Sequence, residues 1–259
     1  MSIRLRQIAL VANKLAPVID DLKAVFGLEV CYIDPGVGAF GLENSLLPVG
    51  NNFIEVVAPI KDGTAGGRYL KRRGGDGGYM VICQCDTHDA QLDRRKRAAE
   101  MNIRIAWERE SSGYHVMQLH PADTGGSFFE IDWDAKQEPE GHWEPAGGDG
   151  WRKAKRTEVV SSYSAVELQS PDPAGLAERW AKIAGVPLRK DARGHLAIPL
   201  DNAIVRFVEP TDGRGEGLSG IDMVVADRAR LNAAAEKRGH KISNDLLTIC
   251  GTRFYLVSP

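Results

Sequence analysis

Apolar residues recur along this chain at two spacings, and the spacings alternate. Residues 3–12 (IRLRQIALVA) have the period of a strand, with Gln7, Ala9 and Val11 on one side. Residues 16–26 change to a helical period, which puts Val18, Ile19, Leu22, Val25 and Phe26 on one face before Gly27 stops the helix. Strand-like runs follow at 29–34, 41–50 and 52–59, punctuated by Asp34-Pro35-Gly36 and Gly50-Asn51-Asn52. A short helix at 65–73 and the glycine-rich GGDGG at 74–78 lead into a second round. That round predicts a strand at 79–85, a helix at 88–101 and strands at 103–111, 114–121 and 127–134.

The pattern then breaks. Residues 135–156 are polar and rich in Gly and Pro, with Trp143 and Trp151 as the side chains that pack them down. It resumes with a strand at 161–169, a helix at 173–184 stopped by Gly185, and strands at 194–200 and 202–210. A shorter fourth round has a strand at 219–226, a helix at 228–238 and strands at 241–250 and 252–258. NAIVRFVEP at 202–210 echoes the earlier NNFIEVVAP. Four copies of a strand-helix-three-strand unit, about 50–60 residues each, define the expected fold. It is α+β, built of tandem βαβββ units paired into two curved, cup-like mixed sheets with helices outside. The expected organisation is a pair of units at 1–135, a linker at 136–159 and a second, degenerate pair at 160–259.

Chemistry concentrates in the hairpin Tyr114–Asp134, whose bend is Thr124-Gly125-Gly126. In its second strand Phe128, Glu130 and Asp132 share one side, and Phe129, Ile131 and Trp133 the other. A carboxylate on a half-buried strand needs a metal, a donor network or a ligand, because burying it alone costs too much. Glu55, between Ile54 and Val56, repeats the arrangement.

Composition narrows the partners. Lys plus Arg is 33 against Asp plus Glu 35, a balance that gives no pull toward nucleic acid or acidic membranes. The N-terminal apolar run is too short for a signal peptide, and no segment nears a membrane span. Cys31, Cys83, Cys85 and Cys250 match no zinc spacing and read as reduced thiols of a cytoplasmic protein. GGDGG precedes a strand instead of opening a helix, so it is no dinucleotide fingerprint. The catalytic-serine and P-loop signatures are absent.

The repeat plan, with Gln7-Ile8-Ala9-Leu10-Val11, Phe26-Gly27-Leu28, the run from Phe53 to Pro59, and His120-Pro121…Thr124-Gly125-Gly126…Glu130, resembles the vicinal oxygen chelate superfamily. That group holds glyoxalase I, methylmalonyl-CoA epimerase, bleomycin-resistance proteins and extradiol dioxygenases; the final hairpin is most similar to the epimerase branch. The resemblance implies ligand positions at Gln7, Glu55, Met80 and Glu130, with Met80 (or Tyr79, one register away) where catalytic members place histidine. It implies a metal, one of Zn, Mn, Fe, Co, Ni or Mg, held by Gln7, Glu55 and Glu130, or no cofactor. Glu130, Glu55 and His120 are the expected catalytic residues, and His115, Met80 and Tyr79 the expected substrate contacts. The implied activity is a lyase or isomerase acting on a small oxygenated substrate through a metal-held enolate. The alternative is a non-catalytic small-molecule binding protein of the bleomycin-resistance type. The matching C-terminal positions hold Ala165 (or Ser164), Arg206, Ile221 (or Gly220) and Tyr255, which argues against a dioxygenase. Arg206 reads as a network arginine or an anion contact. The charge runs Arg94–Arg97 and Arg152–Arg156 read as solvated faces or contacts for coenzyme A phosphates. Four units can pair within one chain, so a cup needs no dimer, and a homodimer is left open.

Overall fold

The computed structural model describes residues 2–259. The strands are β1 (Ile3–Val11), β2 (Leu42–Val49), β3 (Asn52–Pro59), β4 (Gly77–Cys85), β5 (Ile105–Glu110), β6 (Tyr114–Leu119) and β7 (Phe128–Asp134). After the connecting segment come β8 (Val160–Gln169), β9 (Arg189–Lys190), β10 (Leu196–Pro199), β11 (Ile204–Val208), β12 (Gly217–Val225), β13 (Leu246–Ile249) and β14 (Thr252–Val257). The helices are α1 (Leu15–Phe26), α2 (Ala65–Arg73), α3 (His88–Glu100), α4 (Pro173–Ala184) and α5 (Arg228–Lys237).

Two seven-stranded mixed sheets result, ordered β2-β3-β1-β4-β7-β6-β5 and β13-β14-β12-β8-β11-β10-β9. Each is built from one side of the connecting segment, as the repeat predicts. In a βαβββ module the last strand returns beside the first and runs parallel to it. That holds for β7 on β4, β11 on β8 and β14 on β12. Helices α1 and α4 form for matching reasons. Each buries one apolar stripe, and each ends at a left-handed glycine, Gly27 (φ 69°) and Gly185 (φ 67°). Asp172 also caps α4, accepting from the Gly175 N–H, with Pro173 in the first turn.

Two expected strands differ, and one unexpected strand appears. Residues 29–34 form no strand: Tyr32 makes a single bridge to Leu46, and Pro35–Phe40 turns as a 3-10 helix begun by the Asp34 side chain. The run at 241–250 keeps only Leu246–Ile249, because Asn244 and Asp245 take positive φ (51° and 59°) and break the extended backbone. The two-residue strand β9 has no sequence signal. No helix among the described residues is long and apolar enough to cross a membrane.

Close packing divides the chain into two compact units. The first holds the residues up to Gln7, Tyr79–Glu144 and Ala165–Leu218, and so contains the second and third modules. Its core stacks Trp180 of α4 on Phe129 of β7, with ring centroids 4.1 Å apart. The Trp180 Nε1–H donates to Thr124 O at 3.0 Å. The second unit holds Ile8–Gly78, Pro145–Ser164 and Ser219–Pro259, the first and fourth modules. There α1 packs on α5, Phe26 meets Phe254 at 5.0 Å, and Trp151 packs edge-on against Phe53 at 5.2 Å.

Candidate functional site

The alternation of β7 sorts its side chains. Phe129, Ile131 and Trp133 meet α3 and α4: Gln91 of α3 donates to Ile131 O at 3.1 Å, and His88 stacks on Trp133 at 4.8 Å. The opposite face presents Phe128, Glu130, Asp132 and Asp134 in one row. Three of those four are carboxylic acids, and all three are buried.

Their partners explain how burial is tolerated. The Tyr114 phenol donates to Asp132 Oδ2, reaching across from the neighbouring strand. The Asp132 and Glu130 carboxyls lie two residues apart on the same side of β7, both buried. Asp132 is wholly buried, and burial followed by the Glu130 charge holds it well above the ordinary carboxyl range. A dry site disfavours ionising two neighbouring carboxyls at once. The Tyr114 phenol is pushed up as well, by burial and then by Asp132, so it stays a donor.

Residues 135–144 cross this face as a strap, anchored from both ends. The Asp134 carboxylate accepts from Lys136 N–H at 2.9 Å through Oδ1 and lies 2.6 Å from His142 Nδ1 through Oδ2. Arg6, wholly buried, donates to Pro139 O at 2.6 Å and Gly141 O at 2.7 Å. This clamp seats Trp143, which is also wholly buried, with Tyr114 edge-on at 6.0 Å and Arg6 5.4 Å from its ring centre. The Trp143 Nε1–H donates to Gln7 Oε1 at 2.8 Å. Trp143 therefore packs the connecting segment down by way of an expected ligand residue.

The other expected site residues divide. Met80 pairs with Phe128 in register and lies on the Glu130 face, as the resemblance implies. Tyr79 packs edge-on to Phe128 at 5.0 Å. His115 does not join the site. It pairs with Trp133 and packs between that ring (5.2 Å) and His88 (4.3 Å), on the helix side of the sheet. The one-residue step from Tyr114 turns it away from Asp132. His120 builds the hairpin bend: its Nδ1 accepts from Ala122 N–H at 3.2 Å and its carbonyl accepts from Thr124 Oγ1 at 3.1 Å. Gly126 (φ 81°) closes that bend where an added Cβ would sit 2.6 Å from Glu216 O. Glu55, in the second unit, accepts from Asn44 Nδ2 at 2.6 Å. Arg206 is a network arginine, bonded to Glu167 at 3.0 Å and 3.4 Å from Asp191, with both carboxylates buried.

A divalent ion needs deprotonated oxygens converging on one point. Here the Gln7 oxygen faces an indole N–H, the Glu55 oxygen an amide N–H, and Glu130 a carboxyl that holds a proton. Among the described residues no three His, Cys, Asp or Glu side chains converge as a metal site. From the sequence, Asp132 is expected only as a strand neighbour of Glu130 and Trp143 only as a packing residue, with no role for Tyr114, Asp134 or His142. The two aspartates were within reach of the strand period, which puts 128, 130, 132 and 134 in one row. The strap residues carry no local signal.

No protein-family model and no curated protein matches this chain. Solved structures do. A hypothetical protein from Staphylococcus aureus aligns over 100% of both chains, with TM-score 0.66 and 11% identity. A methylmalonyl-CoA epimerase in complex with methylmalonyl-CoA and NH4+ aligns over 53% of this chain and 99% of its own, with TM-score 0.45 and 20% identity. The epimerase from Mycobacterium tuberculosis covers 51% of this chain and 87% of its own, with TM-score 0.42 and 21% identity. At such identities likeness speaks to fold alone. What the alignment over the whole chain shows is the architecture, two mixed sheets built of paired βαβββ modules with helices.

Proposed function

We infer that this protein is an acid–base enzyme, an isomerase or lyase that moves a proton next to the carbonyl of a small oxygenated substrate. The observation that carries this reading is the buried carboxyl pair Glu130–Asp132 on one face of β7, with the Tyr114 phenol donating to Asp132. An unequal pair of carboxyls is how a buried site keeps a base and an acid side by side at neutral pH. Glu130, as the ionised partner, takes the proton from the carbon next to the carbonyl, leaving an enolate. Protonated Asp132, held by the Tyr114 phenol, donates to the oxygen where that charge collects. Return of the proton to the other face makes the reaction an isomerisation; expulsion of a neighbouring group makes it an elimination. Met80 gives the substrate an apolar wall, and the 135–144 strap lifts to admit it. A divalent ion, if held by Glu130, would stabilise the same enolate as a Lewis acid.

The test is hydrogen exchange in D2O, followed by NMR, over 2-oxo acids, acyl thioesters and hemithioacetals. Wild-type protein is expected to exchange the proton next to the carbonyl in one class. Glu130→Gln is expected to slow this about a hundredfold or more while the protein stays folded by circular dichroism. Thermal stabilisation by a member of the panel, with no exchange in any class, would replace this reading with the binding-protein alternative. Elemental analysis of protein offered Zn, Mn, Fe, Co and Ni checks the metal. A stoichiometric ion lost in both Glu130→Ala and Glu55→Ala would restore the metal-held enolate.

A further inference from the structure

The GGDGG run takes no part in the carboxyl site, and it has a setting of its own. Gly74 and Gly75 line an open cleft of about 630 Å³ in the second unit, with Asn13, Pro59, Lys61, Asp62, Gly63, Gly67, Arg68, Leu70 and Lys71. Three features set the chemistry of that cleft. First, it carries three cations against one carboxylate, and Lys61, Arg68 and Lys71 form no ion pair among the described residues. Cations elsewhere in the chain are often paired, as Arg95 is with Glu108, Arg97 with Asp93 and Arg104 with Asp123. Second, two of the three are held in place. The stem of Lys61 lies across Gly41, where an added Cβ would sit 2.3 Å from Lys61 Cε. The Arg68 Nη1–H donates to Gly63 O at 2.6 Å. Third, much of the wall is bare backbone. Gly63, Gly74 and Gly75 all have positive φ, and a Cβ on any of them would meet nothing within 4 Å. A glycine wall lets a large anion approach closely, and a guanidinium meets its oxygens two at a time. No aromatic residue lines the cleft, so nothing there would stack on a base.

We propose that the cleft between the 59–63 loop and α2 binds the diphosphate group of a small molecule through Lys61, Arg68 and Lys71. The site shares no residue with the carboxyl pair and does not depend on the activity inferred for it. Pyrophosphate, orthophosphate and ADP are the probes, titrated into the full chain by calorimetry at low and moderate salt. Pyrophosphate is expected to bind one to one, more tightly than orthophosphate and about as tightly as ADP, and to weaken as salt rises. The triple variant Lys61→Ala/Arg68→Ala/Lys71→Ala changes only exposed side chains and is expected to fold. It should lose about tenfold or more in affinity. Lys182→Ala/Arg189→Ala/Lys190→Ala removes the same charge elsewhere on the surface and should bind as wild type does. The proposal is overturned if pyrophosphate shows no saturable binding. Equal loss in both triple variants, or binding of ADP without pyrophosphate, would overturn it as well.

Discussion

Asp132 shows what a single residue adds to a strand pattern. Alternation places it beside Glu130, but which of the two keeps a proton depends on burial, and burial comes from Tyr114 and from a segment that crosses later. The local sequence therefore marks the row of acids and not their ionisation. Linkage gives a test. A carboxyl raised above its ordinary value of 3.8 binds its proton more tightly folded than unfolded. Its contribution to stability is full below that value and is lost as pH rises toward the folded pKa. Wild-type stability should thus fall with pH above about 4, by up to about 1.4 kcal/mol per pH unit for one proton. Asp132→Asn, isosteric and never charged, should flatten that slope and rank below wild type only at the acid end. Urea unfolding from pH 4 to 7 measures both, and parallel slopes would mean that Asp132 is ionised in the fold. A second residue-scale change isolates the strap's contact with Gln7. Trp143→Phe removes the Nε1–H donated to the Gln7 oxygen, so it should cost about 1–3 kcal/mol and lower the Tm with little change in the far-ultraviolet spectrum.

At the scale of elements, the helices were the most legible part, because an apolar stripe and a terminal glycine are both local signals. Gly27 and Gly185 end α1 and α4 where the sequence places them. The run at 29–34 has the residues of a strand, but Pro35 and the Asp34 side chain start a 3-10 turn that removes it from the ladder. The strap is the opposite case. Its composition is that of a loose linker, yet Arg6, far away in the chain, holds two of its carbonyls. Order there is set by one buried guanidinium, which no window of sequence around residue 140 contains. Arg6→Lys keeps the charge but cannot reach both carbonyls with a planar fork. Amide exchange in residues 137–143 should then rise about tenfold or more while that of β6 and β7 is unchanged. Unchanged exchange in the strap would show that Trp143 and His142 hold it without Arg6.

At the scale of the molecule, the repeat made the fold readable from end to end, because each module carries the same order of periods. The pairing in space was less readable. Each sheet takes its strands from one side of the connecting segment, but the compact unit around the carboxyl site takes in the second and third modules, which lie on opposite sides of that segment in the chain. Trp180 and Phe129 are one stacked pair in that core, and Asn202 of the later region accepts from Leu5 N–H of β1 at 2.9 Å. Neither contact leaves a mark in the sequence around its own residues, since each joins positions far apart. A chain ending at residue 158 would keep the whole first sheet and lose Trp180, which removes the aromatic cover from Phe129 and the donor to Thr124 O. Exposing that apolar surface costs more than a module of this size can spare. The 1–158 fragment should therefore lack a cooperative unfolding transition and bind a hydrophobic dye, and adding the 159–258 fragment should restore the transition. In the full chain, Trp180→Ala should cost about 3–5 kcal/mol, with the same stack as cause. A 1–158 fragment that unfolds sharply by itself, with dispersed amide signals, would make the first sheet an independent domain.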